Sequence, residues 1–539
     1  MDPQVTSNLN WPLVKLLAPW ILGSIVCVYV TAPVLDWFRM WKTLRPMPGP
    51  WNLPPFGFLF VLIKDSFKKE VEHKEATAKI FSLICDTCKK YTDKTFKVYI
   101  GLTPVVVIHT PDAAETLLTS NTNQKRPFMY NFIDSWVGQF NILVSTDEVW
   151  RFKRKLMTPA FHFRVLKNYM RIFNEHGDGL LKNICAAIDK APEDPVRLFE
   201  TTQKCAMDII GEVTTGEKLG LQENKNLSFM ESFNRAMFLL STRSFSPWFW
   251  NQTIYDNSSD GKHYNGDIRE MMEFTHSIMQ QNSKLSDERI ISKCLPHHNE
   301  LDFSVKNNTL MDLLMKKHRE DKRYTLSDVR MDIDSIIGAG NDSTTTAMCW
   351  TLNLLGHNTD AQAKVHEELD EIFGSNNDGE ISADDLRRMK YLECCLKEAL
   401  RLYPSFCVIG RLLDEDLIMD GHRVPKGVTC FVNIYSLHRN PKYFKDPEQF
   451  LPERFLSDEN KSRHRFSYIP FSGGPKNCIG QKFAMIEMKL ILAKVLRKCE
   501  VKSKIPLDRL KVAYEVIIKD KGGNKIWIRR RTAFCSTLQ

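Results

Sequence analysis

Cys478 stands in the loop Phe471-Ser-Gly-Gly-Pro-Lys-Asn-Cys-Ile-Gly480, and an apolar run from Gln481 to Leu496 follows it without Pro or Gly. That run is expected to be helical, which puts the cysteine at or just before a helix N-terminus. Free N–H groups and the helix dipole there favour negative charge on sulfur. Gly473, Gly474 and Gly480 lack Cβ atoms and would let a large flat ligand approach the backbone. A thiolate without a neighbouring cysteine is suited to act as a nucleophile or as a single axial metal ligand. The bland alternative is a buried cysteine in a turn.

Three other groups carry chemistry. Trp150 and Arg154 are four apart, so on a helix they share a face, and an indole N–H beside a guanidinium makes a donor pair for a carboxylate. The alternative is an exposed basic helix with a tryptophan packed beneath. The stretch from Gly338 to Thr346, Gly-Ala-Gly-Asn-Asp-Ser-Thr-Thr-Thr, puts two glycines and four consecutive hydroxyl residues inside a helical pattern. So poor a helix sequence suggests room and hydroxyls over a ligand, or else a kink around a neighbour. Glu398 and Arg401 lie at i,i+3 and pair on one face, with Pro452-Glu-Arg454-Phe455 later in the chain.

The elements needed to position these groups are mostly helices. Helical patterning covers 77–91, 148–162, 327–356 with Ser327 as N-cap, and 382–402 from a capping-box-like Ser382-Ala-Asp-Asp385. Thr95 to Ile108 reads as a strand pair, Pro404 to Arg411 is extended, and Val512–Ile518 with Lys525–Arg530 reads as a hairpin about Gly522-Gly523, its apolar strand reaching a pocket near Val516. The fold class expected is mainly α with a minor β-sheet portion and no internal repeat. Phe128 to Trp136 is an aromatic loop suited to roof an apolar pocket, and equally to core; so are Phe238, Phe245, Trp248, Phe249 and Trp250.

In this order the motifs resemble the cytochrome P-450 superfamily. The Cys loop matches F-x-x-G-x-R-x-C-x-G at Phe471, Gly474, Cys478 and Gly480, with Lys476 where Arg or His is usual. Trp150 and Arg154 match W-x-x-x-R, and Ala339, Gly340 and Asp342 match A-G-x-D-T-T with Ser343 in the first Thr position. Glu398 and Arg401 match E-x-x-R, and Arg454 sits in P-E-R-F. Thr158-Pro-Ala-Phe-His162 looks like the insect and vertebrate family-4 clan.

The resemblance implies a haem-thiolate monooxygenase with Cys478 as the axial ligand of haem b, a ligation that favours O–O cleavage. It also implies propionate contacts from Trp150, Arg154 and Arg411, and proton delivery by Asp342 and Ser343 with Thr344 as a substitute. Glu398, Arg401 and Arg454 would form a buried structural brace. Family-4 enzymes often carry a haem-linking Glu where this chain has Ala339, so the haem is expected to be non-covalent. Electrons would come from NADPH through an NADPH-cytochrome reductase, with cytochrome b5 a further donor. Lys153, Lys155, Lys476 and Lys482 are expected to face an acidic reductase. Two rivals are a peroxide-using haem-thiolate isomerase or lyase, and a non-catalytic membrane haem-binding protein.

Composition and the N-terminus agree with a membrane enzyme. The 539 residues are 43% hydrophobic and 26% charged, with a net charge of +9 and no long basic block, which speaks against nucleic-acid binding. Fourteen cysteines without paired rhythm suggest a reducing compartment. Cys85-x-x-Cys88 lacks the second half of a zinc site, so structural thiols are expected there.

Leu16 to Leu35 carries no charge and is long enough to span a bilayer, and Arg39, Lys42 and Arg45 follow it. The expected organisation is a short segment over 1–15, a transmembrane anchor over 16–36, a basic, Pro-rich linker over 37–56 and a haem domain over 57–539. The anchor would be single-pass in the endoplasmic reticulum, with the catalytic domain cytosolic. The sequons at Asn226, Asn251 and Asn257 would then carry no glycan. The substrate expected is small and apolar: a fatty acid, a hormone-like lipid or a xenobiotic.

Overall fold

The computed structural model describes residues 31, 34–50, 73–91, 93–292, 309–374, 379–456 and 462–531. The expected anchor lies outside the described residues except for its last few positions. Among the described residues no helix is long and apolar enough to cross a membrane. Residues 34–44 are helical and continue from the apolar stretch into the basic segment. Lys97 holds the end of that helix, its Nζ donating to the carbonyls of Leu44 (2.7 Å), Arg45 (2.9 Å) and Met47 (2.7 Å). A Lys at a helix C-terminus satisfies carbonyls that have no helical partner.

Helices dominate. In chain order the longer ones are α1 (His73–Lys90), α2 (Pro111–Thr119), α3 (Asp147–Met157), α4 (Phe163–Lys190), α5 (Leu198–Thr215), α6 (Leu227–Ser244), α7 (Ser259–Ser292), α8 (Leu310–Glu320), α9 (Leu326–His357), α10 (Thr359–Phe373), α11 (Lys390–Leu402) and α12 (Gln481–Lys498). The main sheet joins β1 (Phe96–Ile100), β2 (Thr103–Ile108), β7 (Thr429–Asn433) and β4 (Val408–Leu412) in that spatial order, with β2 and β7 parallel. Smaller sheets are formed by β3 (Val196–Arg197), β11 (Lys525–Arg530) and β8 (Cys499–Lys502), by β5 (Leu417–Met419) with β6 (His422–Val424), and by β9 (Val512–Glu515) with β10 (Ile517–Asp520). The minor-sheet, mainly helical expectation holds.

α9 is the spine, packed against α5, α11 and α12. Most of its residues are buried, including Trp350, whose ring stacks on Tyr403 at 3.8 Å. Its N-cap is Thr325, not Ser327: Thr325 and Asp328 exchange side-chain and backbone bonds in a full capping box. An Asp three residues after Thr325 completes that reciprocal pair, and Ser327 has no such partner.

Two other expectations change. The 382–402 helix is two, Ala383–Arg388 and α11, separated at Met389 with ψ 75°; the capping box at Ser382 is present. The segments 512–518 and 525–530 do not pair with each other: β9 turns directly onto β10 through Val516 (φ +65°), while β11 pairs with β3 and β8. The tight turn at Val516 consumes the apolar strand that the Gly-Gly turn was expected to return.

Candidate functional site

Cys478 lies where the sequence placed it, two residues before Gly480, the N-cap of α12. Its N–H donates to the Phe471 carbonyl at 2.9 Å, closing the loop. Gly474 is required twice over: its φ is +70°, and a Cβ there would sit 1.9 Å from the Leu118 carbonyl. A Cβ on Gly473 would strike Phe466 at 2.6 Å. Neighbouring protein therefore fills the space beside these two glycines. Only Gly480 leaves space next to the sulfur, with Sγ the nearest atom at 3.9 Å.

The Cys478 side chain is exposed, yet burial raises its thiol above the ordinary value. The two facts agree if the sulfur opens into a space that protein encloses. The Gly480 N–H and the Arg154 guanidinium work against that rise, but the helix terminus by itself does not make a thiolate. A metal cation at sulfur would supply what these two lack.

Two residues upstream, Lys476 corrects one expectation. It is buried, with Nζ donating to the carbonyls of Gln124 (3.0 Å) and Ser145 (2.8 Å), and 5.3 Å from the Trp150 ring centroid. Burial, then Arg126 and Arg411, lowers its ammonium to about 7. Arg411 on β4 is 1% exposed. It donates to the Gly410 carbonyl at 2.9 Å, while its Nε and Nη2 have no partner among the described residues. Burial and Arg126 bring it down to about 9.

Lys476, Arg411 and Arg126 thus gather with no carboxylate bonded to them among the described residues, a costly arrangement for protein alone. Unpaired guanidinium N–H groups call for anionic oxygens, and the two carboxylates of a haem fit the need. Lys153 is buried as well, so of the four lysines expected to face a partner only Lys155 and Lys482 are exposed.

Arg154 does not join the cation cluster. Its Nη1 donates to the Asn477 carbonyl at 2.6 Å and its Nη2 to Asn477 Oδ1 at 2.8 Å, so it clamps the Cys loop. Arg126 and Asn477 went unnoticed in the sequence, where a Lys-Arg pair in a loop looks like any solvated pair.

On α9 the expected acid–alcohol trio diverges. Asp342 accepts from Gln203 Nε2 on α5 (2.9 Å) and Lys519 Nζ on β10 (3.1 Å). Ser343 Oγ donates to the Ala339 carbonyl at 2.7 Å, and no hydrogen bond joins it to Asp342. Thr344 Oγ1 donates to the Gly340 carbonyl at 2.8 Å and lies 3.3 Å from Glu487 Oε1. Glu487 is fully buried, and burial pushes its carboxyl well above the usual range. The glycines in this stretch serve neighbours: a Cβ on Gly338 would meet Trp136 at 2.5 Å, and one on Gly340 would meet Ile210 at 2.7 Å.

Behind the loop, Glu398 and Arg401 are fully buried. Arg401 Nε and Nη2 lie 2.8 Å from the two Glu398 oxygens, and Arg454 Nε is 3.2 Å from Oε1. Arg401 also donates to the carbonyls of His438 (3.1 Å) and Pro447 (2.7 Å). His438 Nε2 in turn accepts from the Ile469 N–H at 2.8 Å, two residues before Phe471. The brace therefore reaches the start of the Cys loop. Phe471 lines an open cleft of about 700 Å³ with Met170, Met485 and Ile486.

Trp136 lies in the core, and Phe128 meets Trp250 edge-on at 5.0 Å, while Trp248 is exposed. Cys85 and Cys88 are buried, with thiols pushed up by burial to about 12 and about 11; Cys88 accepts from Asn433 Nδ2 at 3.3 Å.

Residues 66–521 match the family model for cytochrome P450. The chain is 31% identical over 516 residues to human cytochrome P450 4V2, covering 95% of each chain, and 30% identical to the rat protein over 515 residues, again covering 95% of each. It is 30% identical to cytochrome P450 4c3 of Drosophila melanogaster over 519 residues, covering 95% of this chain and 94% of that one.

Proposed function

The chain belongs to the cytochrome P450 family, and from that premise we propose that it oxidises a small, apolar, lipid-like substrate at the endoplasmic reticulum membrane. It is a cytochrome P450 monooxygenase of the family-4 type. NADPH supplies electrons through a reductase, with cytochrome b5 a further donor, and a single-pass N-terminal anchor holds the catalytic domain on the cytosolic side. The substrate is a fatty acid, a hormone-like lipid or a xenobiotic.

Haem, when bound, supplies the O2 activation and oxygen-atom transfer. The residues of the chain do the rest. Cys478 would hold the haem iron through its sulfur, and the Gly480 N–H with Arg154 works towards its deprotonated form. Arg411, Lys476 and Arg126, with Trp150 beside Lys476, would hold the two propionates by charge-assisted hydrogen bonds. Ala339 offers no carboxylate to esterify the haem, which stays non-covalent.

Ser343 and Thr344 keep hydroxyl protons on the oxygen side, each bonded back to a helix carbonyl until a water accepts one. Asp342 is oriented by Lys519 and Gln203, and the Glu398 brace keeps the loop in register.

The observation that carries this reading is the cation cluster beside the Cys loop, buried at Arg411 and Lys476 and half-buried at Arg126, which suits a dianionic cofactor. The test is turnover of a fatty-acid panel with purified reductase, NADPH and isotopically labelled O2. One labelled oxygen atom per oxidised product is expected. Product formed from a lipid peroxide without reductase or O2 would overturn the reading in favour of an isomerase or lyase.

A further inference from the structure

The burial of Lys153 raises a question about how α3 is held. Of the eleven residues of α3 only Lys153 and Met157 are buried, and Val149 and Phe152 are exposed. Apolar packing holds this helix through Met157 and the partly buried Trp150 and Leu156, and leaves its middle turn to Lys153. The inward anchor there is polar. Lys153 Nζ lies 2.5 Å from Asp332 Oδ2 and 3.8 Å from Asp328 Oδ1, and 4.7 Å from the Tyr324 ring centroid. The Tyr324 hydroxyl donates to the same Asp332 Oδ2 at 2.6 Å. Asp332 is fully buried on α9, and its Oδ1 has no partner among the described residues.

An ion pair this deep adds little net stability, since desolvation offsets most of the attraction; register is the better-attested return. Register matters here because of the residues that flank Lys153. Arg154 is next to it and clamps Asn477 beside Cys478, and Trp150 is one turn earlier beside Lys476. A rotation or slide of α3 would displace both at once.

We propose that Asp332 is a positioning residue: through Lys153 it fixes α3, and with it the Arg154 guanidinium at the Cys478 loop. This rests on the reading of Cys478 as haem ligand. The groups facing Asp332 are Lys153 from α3, Tyr324 from the α8–α9 connection and Asp328 from its own helix. α8 adds Lys317, 5.5 Å from the Phe152 ring, and His318, whose Nδ1 is 2.6 Å from the Tyr324 carbonyl. Burial raises the Asp332 carboxyl to about 6, against the pull of Lys153 and Tyr324. The ionised carboxylate is the form that holds Lys153, so acid weakens the hold from the Asp332 side.

The test follows the thiolate band of the reduced, CO-bound protein through a pH titration, alongside the rate of haem loss. Asp332→Asn is expected to lose the band at a higher pH than wild type and to release haem about 10–100-fold faster, as for loss of a supporting partner at a metal site. Tyr324→Phe, which keeps the ion pair, should shift both readouts less and in the same direction; Lys153→Arg should stay near wild type. Because Asp332 acts in large part through Arg154, the loss in the double variant Asp332→Asn/Arg154→Gln should fall well short of the product of the two single losses. Effects that multiply in the double variant, or an Asp332→Asn titration that overlays wild type, overturn the proposal. If Asp332→Asn fails to fold, the Tyr324→Phe titration and its double with Arg154→Gln decide in the same way. A wild type without any thiolate band would instead sink the ligand assignment itself.

Discussion

Arg411 is 1% exposed, with two guanidinium nitrogen atoms that have no partner among the described residues, whereas the equally buried Arg401 pairs with Glu398 and Arg243 donates to the Phe249 carbonyl and Gln252. None of its contacts among the described residues needs that charge, whereas a propionate would use it. Arg411→Met is therefore expected to leave the apoprotein folded and at least as stable, while lowering haem affinity by about 10–100-fold. Titration of the apoprotein with haem checks the first claim and a urea melt the second; unchanged affinity would remove Arg411 from the site. Much at this scale was legible from spacing alone. Cys478, Gly474 and the Glu398–Arg401 pair sit as their motifs required. Lys153 misled because its neighbours on α3 are exposed and basic, so that only the tertiary position of Asp332, 179 residues away, reveals it as buried. Asp342 is adjacent to Ser343 in sequence, but helical geometry turns the two apart, and its partners Gln203 on α5 and Lys519 on β10 could not be read from spacing.

At the scale of elements, α11 and the segment after it act as one unit through Glu398. One carboxylate answers Arg401 and Arg454 and also accepts the Leu451 N–H at 2.9 Å. Removing it leaves two guanidinium groups out of water without their anion. Glu398→Ala is expected to lower unfolding free energy by about 3–5 kcal/mol, measured by denaturant melts, and to reduce haem incorporation because the same unit ends at Ile469. A loss below about 1 kcal/mol would mean that the brace is replaceable. Helix existence was readable for α9 from its length and N-terminal start signal and for α12 from an apolar run without Pro or Gly. Their ends were harder: the break at Met389 has no Pro or Gly to mark it. The β9–β10 turn was hidden for a related reason, because Val516 adopts a positive φ that sequence would assign to glycine.

Across the whole molecule, the links run from α9 through α3 to the Cys loop, and from α11 through His438 to the same loop. The second route predicts an acid sensitivity. Burial, then Arg401, depresses the His438 imidazole to about 3, below its value of about 6.5 in the unfolded chain. The unfolded state therefore binds more protons between those values, so this contribution is fully present above pH ~6.5 and is lost as pH falls towards ~3. His438→Gln keeps an acceptor for the Ile469 N–H without a titrating group, and should flatten the fall of urea midpoint with acid over that window. An unchanged slope would show that other groups govern it.

All of these links converge on one sulfur, and the absorbance of the reduced, CO-bound protein reads that sulfur directly. Wild type is expected to show the long-wavelength Soret band of haem with a thiolate ligand, and Cys478→Ala to lack it while keeping the same helical circular dichroism. A wild type without that band, or a Cys478→Ala protein that retains it, would contradict the assignment of Cys478 as the haem ligand.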